Sequence, residues 1–328
     1  WWYYAEKLKK EKYDLDDEVL KPYFKLENVM DGAFEVCNRL WGITFNEIKD
    51  VPVYHEDVKV YEVKEEDGSH IGIWFCDYFP RASKRGGAWM GVFRKQSRTI
   101  DGEMVYPLVY NVGNFSKPTG DMPSLLTFDE VRTLFHELGH GLHGLLSNGS
   151  YPNLTGTAVV TDFVELPSQI MENWATHPEV LKMYAKHYKT GETIPDELIV
   201  KIKKADTFNQ GFFATEYVAA SILDMDYHTV ESHLDADVRK FEDKALQDMG
   251  LISEIKPRYR STYFRHIFSS GYASGYYSYM WAEVLDADAF QAFKENGLFD
   301  RQTANLFREN ILAKGGSEDP MKLYVQFR

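Results

Sequence analysis

The sequence predicts an α+β chain, mainly helical with a small β-sheet. Three observations carry that expectation. Residues 127–147, TFDEVRTLFHELGHGLHGLLS, form an amphipathic run opened by a capping signal. Residues 51–115 hold period-two hydrophobic patterning around an Asp-Gly turn. From Phe163 onward the pattern is almost all helical, punctuated by Gly191, Pro195, Gly250, Pro257 and Gly297.

Composition bounds the rest. At 328 residues, 44% hydrophobic and 15% aromatic, the chain can bury a large core and belongs among folded globular proteins. A net charge of −13 argues against nucleic acid as a partner and leaves peptides open. No run of about 18 apolar residues occurs, so no membrane span is expected. Cys37 and Cys76 form no C-x-x-C pair and read as ordinary buried thiols.

In chain order, residues 1–50 read as a helical lead-in. Tyr4, Leu8 and Tyr13 fall near helical spacing, and Pro22 interrupts. Asn28 is expected to cap a second helix that buries Phe34, Cys37 and Leu40 and stops at Gly42. The small sheet spans 51–115. Val58, Val60, Tyr61 and Val63 precede Asp67-Gly68, and Ile71, Ile73 and Phe75 follow, which is a hairpin. Residues 87–94 and 104–115 are further extended candidates in an antiparallel-rich sheet. Residues 86–91 are the candidate edge on which an extended peptide can add as a strand. Residues 116–124 and 148–156 read as loops. Helices are expected at 163–176, 178–189, 195–206, 211–231, 235–249, 272–296 and 301–314.

The run 127–147 contains His136-Glu137-Leu138-Gly139-His140, an H-E-x-x-H pattern. Thr127 and Glu130 form a T-x-x-E capping box, and Val131, Leu134, Phe135, Leu138, Leu142 and Leu145 an apolar stripe. On a helix, residues four apart share a face and sit about 6 Å apart in rise, so two imidazoles can converge on one zinc ion. Glu137 lies about 100° round the helix, beside the ligands rather than among them. A carboxylate there can accept a proton from an attacking water. The alternative is a buried amphipathic helix that happens to carry histidines, and a third ligand has to decide.

Glu165, in DFVELPSQIMENW, is the best candidate for that ligand, on a second helix that can lie against the first. As a bland alternative it is a helix N-terminal carboxylate. His143 competes but sits about 10 Å along the axis from His136, so it reads as a packing residue or as support for a ligand. Glu172 and Asp162 can each hydrogen-bond the second nitrogen of a ligating histidine, and Glu172 shares the face of Glu165. The stretch 265–281, RHIFSSGYASGYYSYMW, brings His266, Tyr272 and Tyr279 among small residues. Such hydroxyls and imidazoles can serve a developing oxyanion, although a tyrosine stripe is more often core.

HELGH, DFVELPSQIMENW and HIFSSGYASGYYSYMW together resemble the thimet-oligopeptidase family of zinc metallopeptidases, most closely its bacterial peptidyl-dipeptidases. WWYYAEKLKKEKYDLDDEVLKPYF, PVYHEDVKVYEV, GGAWMG, YNVGNF and ILAKGGSEDPMKLYVQFR extend the likeness over the chain. The resemblance implies a zincin-like metallopeptidase catalytic domain with the H-E-x-x-H helix, one Zn2+ held by His136, His140 and Glu165, and Glu137 as general base. It implies His266, Tyr272 and Tyr279 as binders of substrate and transition state. The implied substrates are short unstructured peptides, from which C-terminal dipeptides are released. Endo-acting cleavage and a catalytically silent fragment are the alternatives. The expected location is cytoplasmic. A carboxypeptidase also needs a cation for the substrate C-terminus, and Arg81, Lys84, Arg260 and Arg265 are the candidates. The chain is expected to correspond to the C-terminal half of a family member, with 127–176 as the zinc-binding helices and 177–328 as the remaining helical region. An apolar former interface is then expected to be exposed.

Overall fold

Gly42 is where the lead-in helices give way to the sheet. Helices α1 (Trp2–Tyr13), α2 (Asp17–Leu20) and α3 (Leu26–Trp41) precede it. The structure is a computed structural model that describes residues 1–232 and 237–328. At φ 75° Gly42 adopts the left-handed conformation, and its N–H donates to Asn38 O to close the last turn of α3. Asn28 does not cap this helix. Lys25 occupies that position, and the Asn28 amide donates across to Lys186 O. The buried face of α3 is Val29, Ala33, Val36, Cys37 and Leu40. Pro22 lies in a 3-10 turn, as its missing N–H favours.

The strands are β1 (Thr44–Glu47), β2 (Lys59–Lys64), β3 (His70–Asp77), β4 (Trp89–Arg94), β5 (Ser97–Arg98), β6 (Met104–Val105) and β7 (Leu108–Val112). Five form one sheet in the order β1-β2-β3-β7-β4, while β5 and β6 pair separately. The lead-in therefore contains a strand. β1 pairs antiparallel with β2, but it is short and largely exposed, so it carries no alternation. The Asp67-Gly68 hairpin forms between β2 and β3. The extended stretch 104–115 is two strands, because Pro107 has no N–H to offer a ladder. β7 runs parallel to β3, and the other pairings are antiparallel. β4 is the edge beside β7, and it begins only at Trp89, so 86–88 are loop.

Helix α4 (Phe128–Leu145) lies on this sheet. Its capping box is complete: Glu130 N donates to Thr127 Oγ1 at 3.1 Å, and Thr127 N donates to Glu130 Oε2 at 2.7 Å. Then come α5 (Leu166–Thr176), α6 (Pro178–Tyr184), α7 (Asp196–Ala205), α8 (Gln210–His228), α9 (Val238–Asp248), α10 (Arg265–Ser269), α11 (Ser278–Asn296), α12 (Arg301–Phe307) and α13 (Pro320–Phe327). Residues 235 and 236 of the expected 235–249 helix lie outside the described residues. The expected 272–296 helix begins only at Ser278, and the tyrosine-rich residues before it form a turn. The expected 301–314 helix is α12 followed by a π-helical segment, Arg308–Leu312. The sequence reading omitted α13, although Asp319 caps it and Pro320 opens it.

The main core joins α3, the sheet, α4, α5 and the C-terminal helices through residues such as Trp74, Phe135, Trp174 and Phe293. A smaller cluster of Ala220, Phe264, Ile267 and Tyr276 stands apart and carries the tyrosine-rich turn. Cys37 and Cys76 are buried free thiols. No helix among the described residues is long and apolar enough to cross a membrane.

Thr127→Ala removes one half of the capping box. A stability loss of about 1 kcal/mol is expected in urea unfolding. An unchanged midpoint would show that packing alone sets the start of α4.

Candidate metal centre and catalytic cleft

His136 and His140 stand one turn apart on α4, with ring centroids 5.1 Å apart. Both turn Nε2 towards the same oxygen, Glu165 Oε2, at 3.2 Å and 3.1 Å. The potential ligand atoms of these residues all lie within 4.8 Å of one another. Glu165 is 1% exposed, and it does not lie within the helix that the sequence suggested. It is the residue before α5, at φ −86° and ψ −7°.

A glycine lets it get there. A Cβ on Gly139 would lie 2.1 Å from Pro167 O and 2.6 Å from Ser168 Cα, both backbone atoms. Only a residue without a side chain lets the start of α5 lie this close to α4. Ser168 Oγ donates to Glu165 Oε2 at 2.7 Å, and the Tyr272 hydroxyl donates to Oε1.

The electrostatics follow from burial and from these contacts. Burial alone would raise the Glu165 pKa, but His140 and His136 hold it well below the usual carboxylate range. Burial alone would lower that of His136, but Glu165 and Glu172 hold it well above the usual value. Two nitrogens and a carboxylate packed this tightly call for a shared positive charge, from protons or a metal cation. The donors are also the two-histidine, one-glutamate set suited to zinc, so the residues present fit that ion. His136 Nδ1 meets Glu172 Oε1 at 2.7 Å, the contact anticipated for Glu172. Asp162 is not brought to His136 or His140. It accepts from the Tyr277 hydroxyl at 3.1 Å. His143 is wholly buried with neither ring nitrogen partnered, and burial pushes its pKa down to about 3. It packs as a neutral ring and does not join the cluster.

Glu137 lines the same cleft, 5% exposed, with Oε2 unpartnered. Burial raises its pKa and makes it a stronger base than an exposed carboxylate. The cleft encloses about 520 Å³. Residues 85–90, leading into edge strand β4, form part of its wall, and His266, Tyr272 and Tyr279 form another. The Tyr272 and Tyr279 rings stack at 5.2 Å, and His266 lies 6.0 Å and 6.3 Å from them. Burial, with the nearby Glu165 charge, raises both phenol pKa values and keeps them as O–H donors.

Of the four candidate cations, Arg81 is bound bidentately by Asp77, Lys84 is buried against Asp77, and Arg260 pairs with Glu242. Arg265 lines the cleft. The sequence reading passed over Arg258, which borders an adjoining part of the cleft with His136, His266, Tyr276 and Tyr279. Its guanidinium faces the Tyr259 ring at 5.7 Å, and no carboxylate among the described residues is in salt-bridge reach. Nothing in the run K-P-R-Y-R separates it from Arg260, because only folding reveals which of the two is paired. Asp224, also unanticipated, binds the backbone of the tyrosine-rich turn.

The model of Peptidase family M3 matches residues 1–328. The chain belongs to peptidase family M3. It is 48% identical over 332 residues to a dipeptidyl carboxypeptidase of Escherichia coli (strain K12), covering 100% of this chain and 48% of that protein. Oligopeptidase A of the same organism is 42% identical over 332 residues, covering 99% and 48%. Saccharolysin of Saccharomyces cerevisiae is 34% identical over 328 residues, covering 97% and 46%. The chain thus spans about half the length of the curated relatives it matches. The bacterial relatives bear names of two kinds, so similarity alone leaves specificity open.

Gly139→Ala is expected to push α5 outward and weaken zinc binding about 10- to 100-fold, the scale of losing a ligand's support. Competition against a chromophoric chelator measures this. Parent-like affinity would mean that α5 can shift without moving Glu165.

Proposed function

We propose that this chain is the catalytic part of a zincin-like metallopeptidase that binds one Zn2+ through His136, His140 and Glu165 and hydrolyses short peptides. The observation that carries this is the approach of both histidine Nε2 atoms to one Glu165 oxygen, with Glu137 beside them in an open cleft. A zinc ion bound there would polarise the scissile carbonyl and acidify the attacking water.

The chain's own groups do the rest. Glu137, its basicity raised by burial, takes a proton from the attacking water and passes it to the leaving amine. Tyr279 or Tyr272 donates its hydroxyl hydrogen bond to the oxygen where negative charge develops, and His266 helps bind the substrate backbone. Glu172 holds His136 by Nδ1, so that Nε2 faces the centre. The edge strand β4 offers free backbone groups to an extended peptide, a recognition mode that requires no particular side chain.

Within this reading, release of C-terminal dipeptides is supported by Arg258. Its guanidinium borders the cleft beside the tyrosines and faces an aromatic ring rather than an acid, which leaves it suited to a substrate carboxylate. One observation favours endo-acting cleavage instead. Arg258 also borders a further hollow of about 470 Å³ lined by Trp1, Trp2 and Phe213, so the cleft need not end at the arginine.

Two tests follow. Glu137→Gln is expected to retain zinc while turnover falls about 10²- to 10⁴-fold, as general-base loss implies. Near-parental turnover would exclude Glu137 as the base. Hydrolysis of a short peptide and of its C-terminal amide separates the two specificities. A carboxydipeptidase fails on the amide, and Arg258→Ala then raises KM for the free acid. Equal rates on both peptides, indifferent to Arg258→Ala, would establish endo-acting cleavage.

A further inference from the structure

We propose that Asp224, on α8, is the positioning residue that sets the tyrosine-rich turn over the metal centre. The inference rests on the reading above that Tyr272 and Tyr279 serve the developing oxyanion. Residues 270–277 link α10 to α11 without forming a helix or strand. Ser274, at their centre, takes φ 54°, a left-handed conformation that a non-glycine residue holds only when its surroundings enforce it.

The enforcing group is the Asp224 carboxylate, which is fully buried. Its Oδ1 accepts from Ser274 N at 3.0 Å and its Oδ2 from Tyr276 N at 2.9 Å. Those two amides lie between Tyr272 and Tyr279, so one side chain grips the turn between the two catalytic hydroxyls. His228, one turn later on α8, bonds Asp224 O through Nδ1 at 2.8 Å, and the same nitrogen lies 2.9 Å from Oδ1. Two turns earlier, Tyr217 donates to Tyr276 O and stacks on its ring at 5.1 Å. Charge-assisted bonds of this kind are the strong ones, and removing the acceptor would strand the buried Tyr276 N–H.

Other bonds hold the two ends of the turn: Tyr272 N donates to His266 O at 3.2 Å and the Tyr277 hydroxyl to Asp162 at 3.1 Å. The turn packs on the small cluster of Ala220, Phe264 and Ile267 rather than on the main core. On its metal-facing side the Tyr272 hydroxyl reaches Glu165. A shift of the turn on α8 therefore moves Tyr272, and with it the start of α11 that carries Tyr279, relative to the histidine pair on α4. Glu165 keeps its bond from Ser168 and its contacts with both histidines, so the larger consequence falls on turnover rather than on metal binding.

The test compares Asp224→Asn and Asp224→Glu in the zinc-loaded chain, with amide hydrogen exchange, zinc affinity and steady-state kinetics as readouts. Asparagine keeps the size but has one acceptor oxygen, and its NH2 opposes the second amide. Glutamate keeps both oxygens. Asp224→Asn is expected to speed exchange at the Ser274 and Tyr276 amides and to lower kcat on the order of 100-fold, with KM and zinc affinity little changed. Asp224→Glu is expected to recover part of both the protection and kcat. Unchanged exchange in Asp224→Asn would overturn the proposal. So would faster exchange with parental kcat while Tyr279→Phe abolishes turnover, because the tyrosine then matters and its anchor does not. Parental turnover in Tyr279→Phe sinks the tyrosine reading itself. The exchange data tell that outcome apart, since they do not depend on catalysis.

Discussion

The contact between α4 and the start of α5 is the constraint on which the site depends. With Gly139 against Pro167 and Ser168, the two helices approach at backbone distance, and Glu165 reaches under both imidazoles. A larger residue would hold the carboxylate away from the histidines, whatever the ligands were. The approach also places Glu172, one and a half turns into α5, against His136 Nδ1. One steric permission therefore positions a candidate ligand and the group that orients another.

The second half of the site is built differently. Tyr272 sits on the turn between α10 and α11, His266 on α10 and Tyr279 in the first turn of α11, beside a small cluster separate from the main core. The candidate metal centre inherits rigidity from tight packing around Phe135, Leu138 and Trp174. The tyrosine turn depends instead on polar grips from Asp224, Tyr217 and Gln169, whose amide donates to Tyr279 O. Polar bonds are directional, so they can hold a turn in register where few apolar contacts are available.

The fold was legible wherever one local signal sufficed. The capping box, the Asp-Gly hairpin and the Gly42 stop needed only a few adjacent residues, and each formed as read. The misreadings share a cause. β1 is too short and exposed to alternate, and the parallel pairing of β7 with β3 depends on partners far apart in sequence. Residues 272–277 fall within the expected 272–296 helix, yet the Asp224 carboxylate holds two of their amides in a turn. Asn28 was a plausible cap that lost to tertiary contacts with Lys186.

By itself the sequence determined the H-E-x-x-H helix, its cap and the sidedness of His136 and His140, because helix geometry relates residues four apart whatever surrounds them. It also singled out Glu165 as a candidate third ligand, Glu172 as a hydrogen-bond partner for a ligating histidine, and the tyrosine stretch. Tertiary structure decided that Glu172, the favoured of two candidates, meets the histidine, that Arg260 and not Arg258 pairs with an acid among the described residues, and that Asp224 binds the amides of the tyrosine-rich turn. Each of those outcomes turns on which charged group finds a partner across tens or hundreds of residues. Such pairing is set by where burial leaves a charge with a neighbour, and a linear pattern holds no record of that.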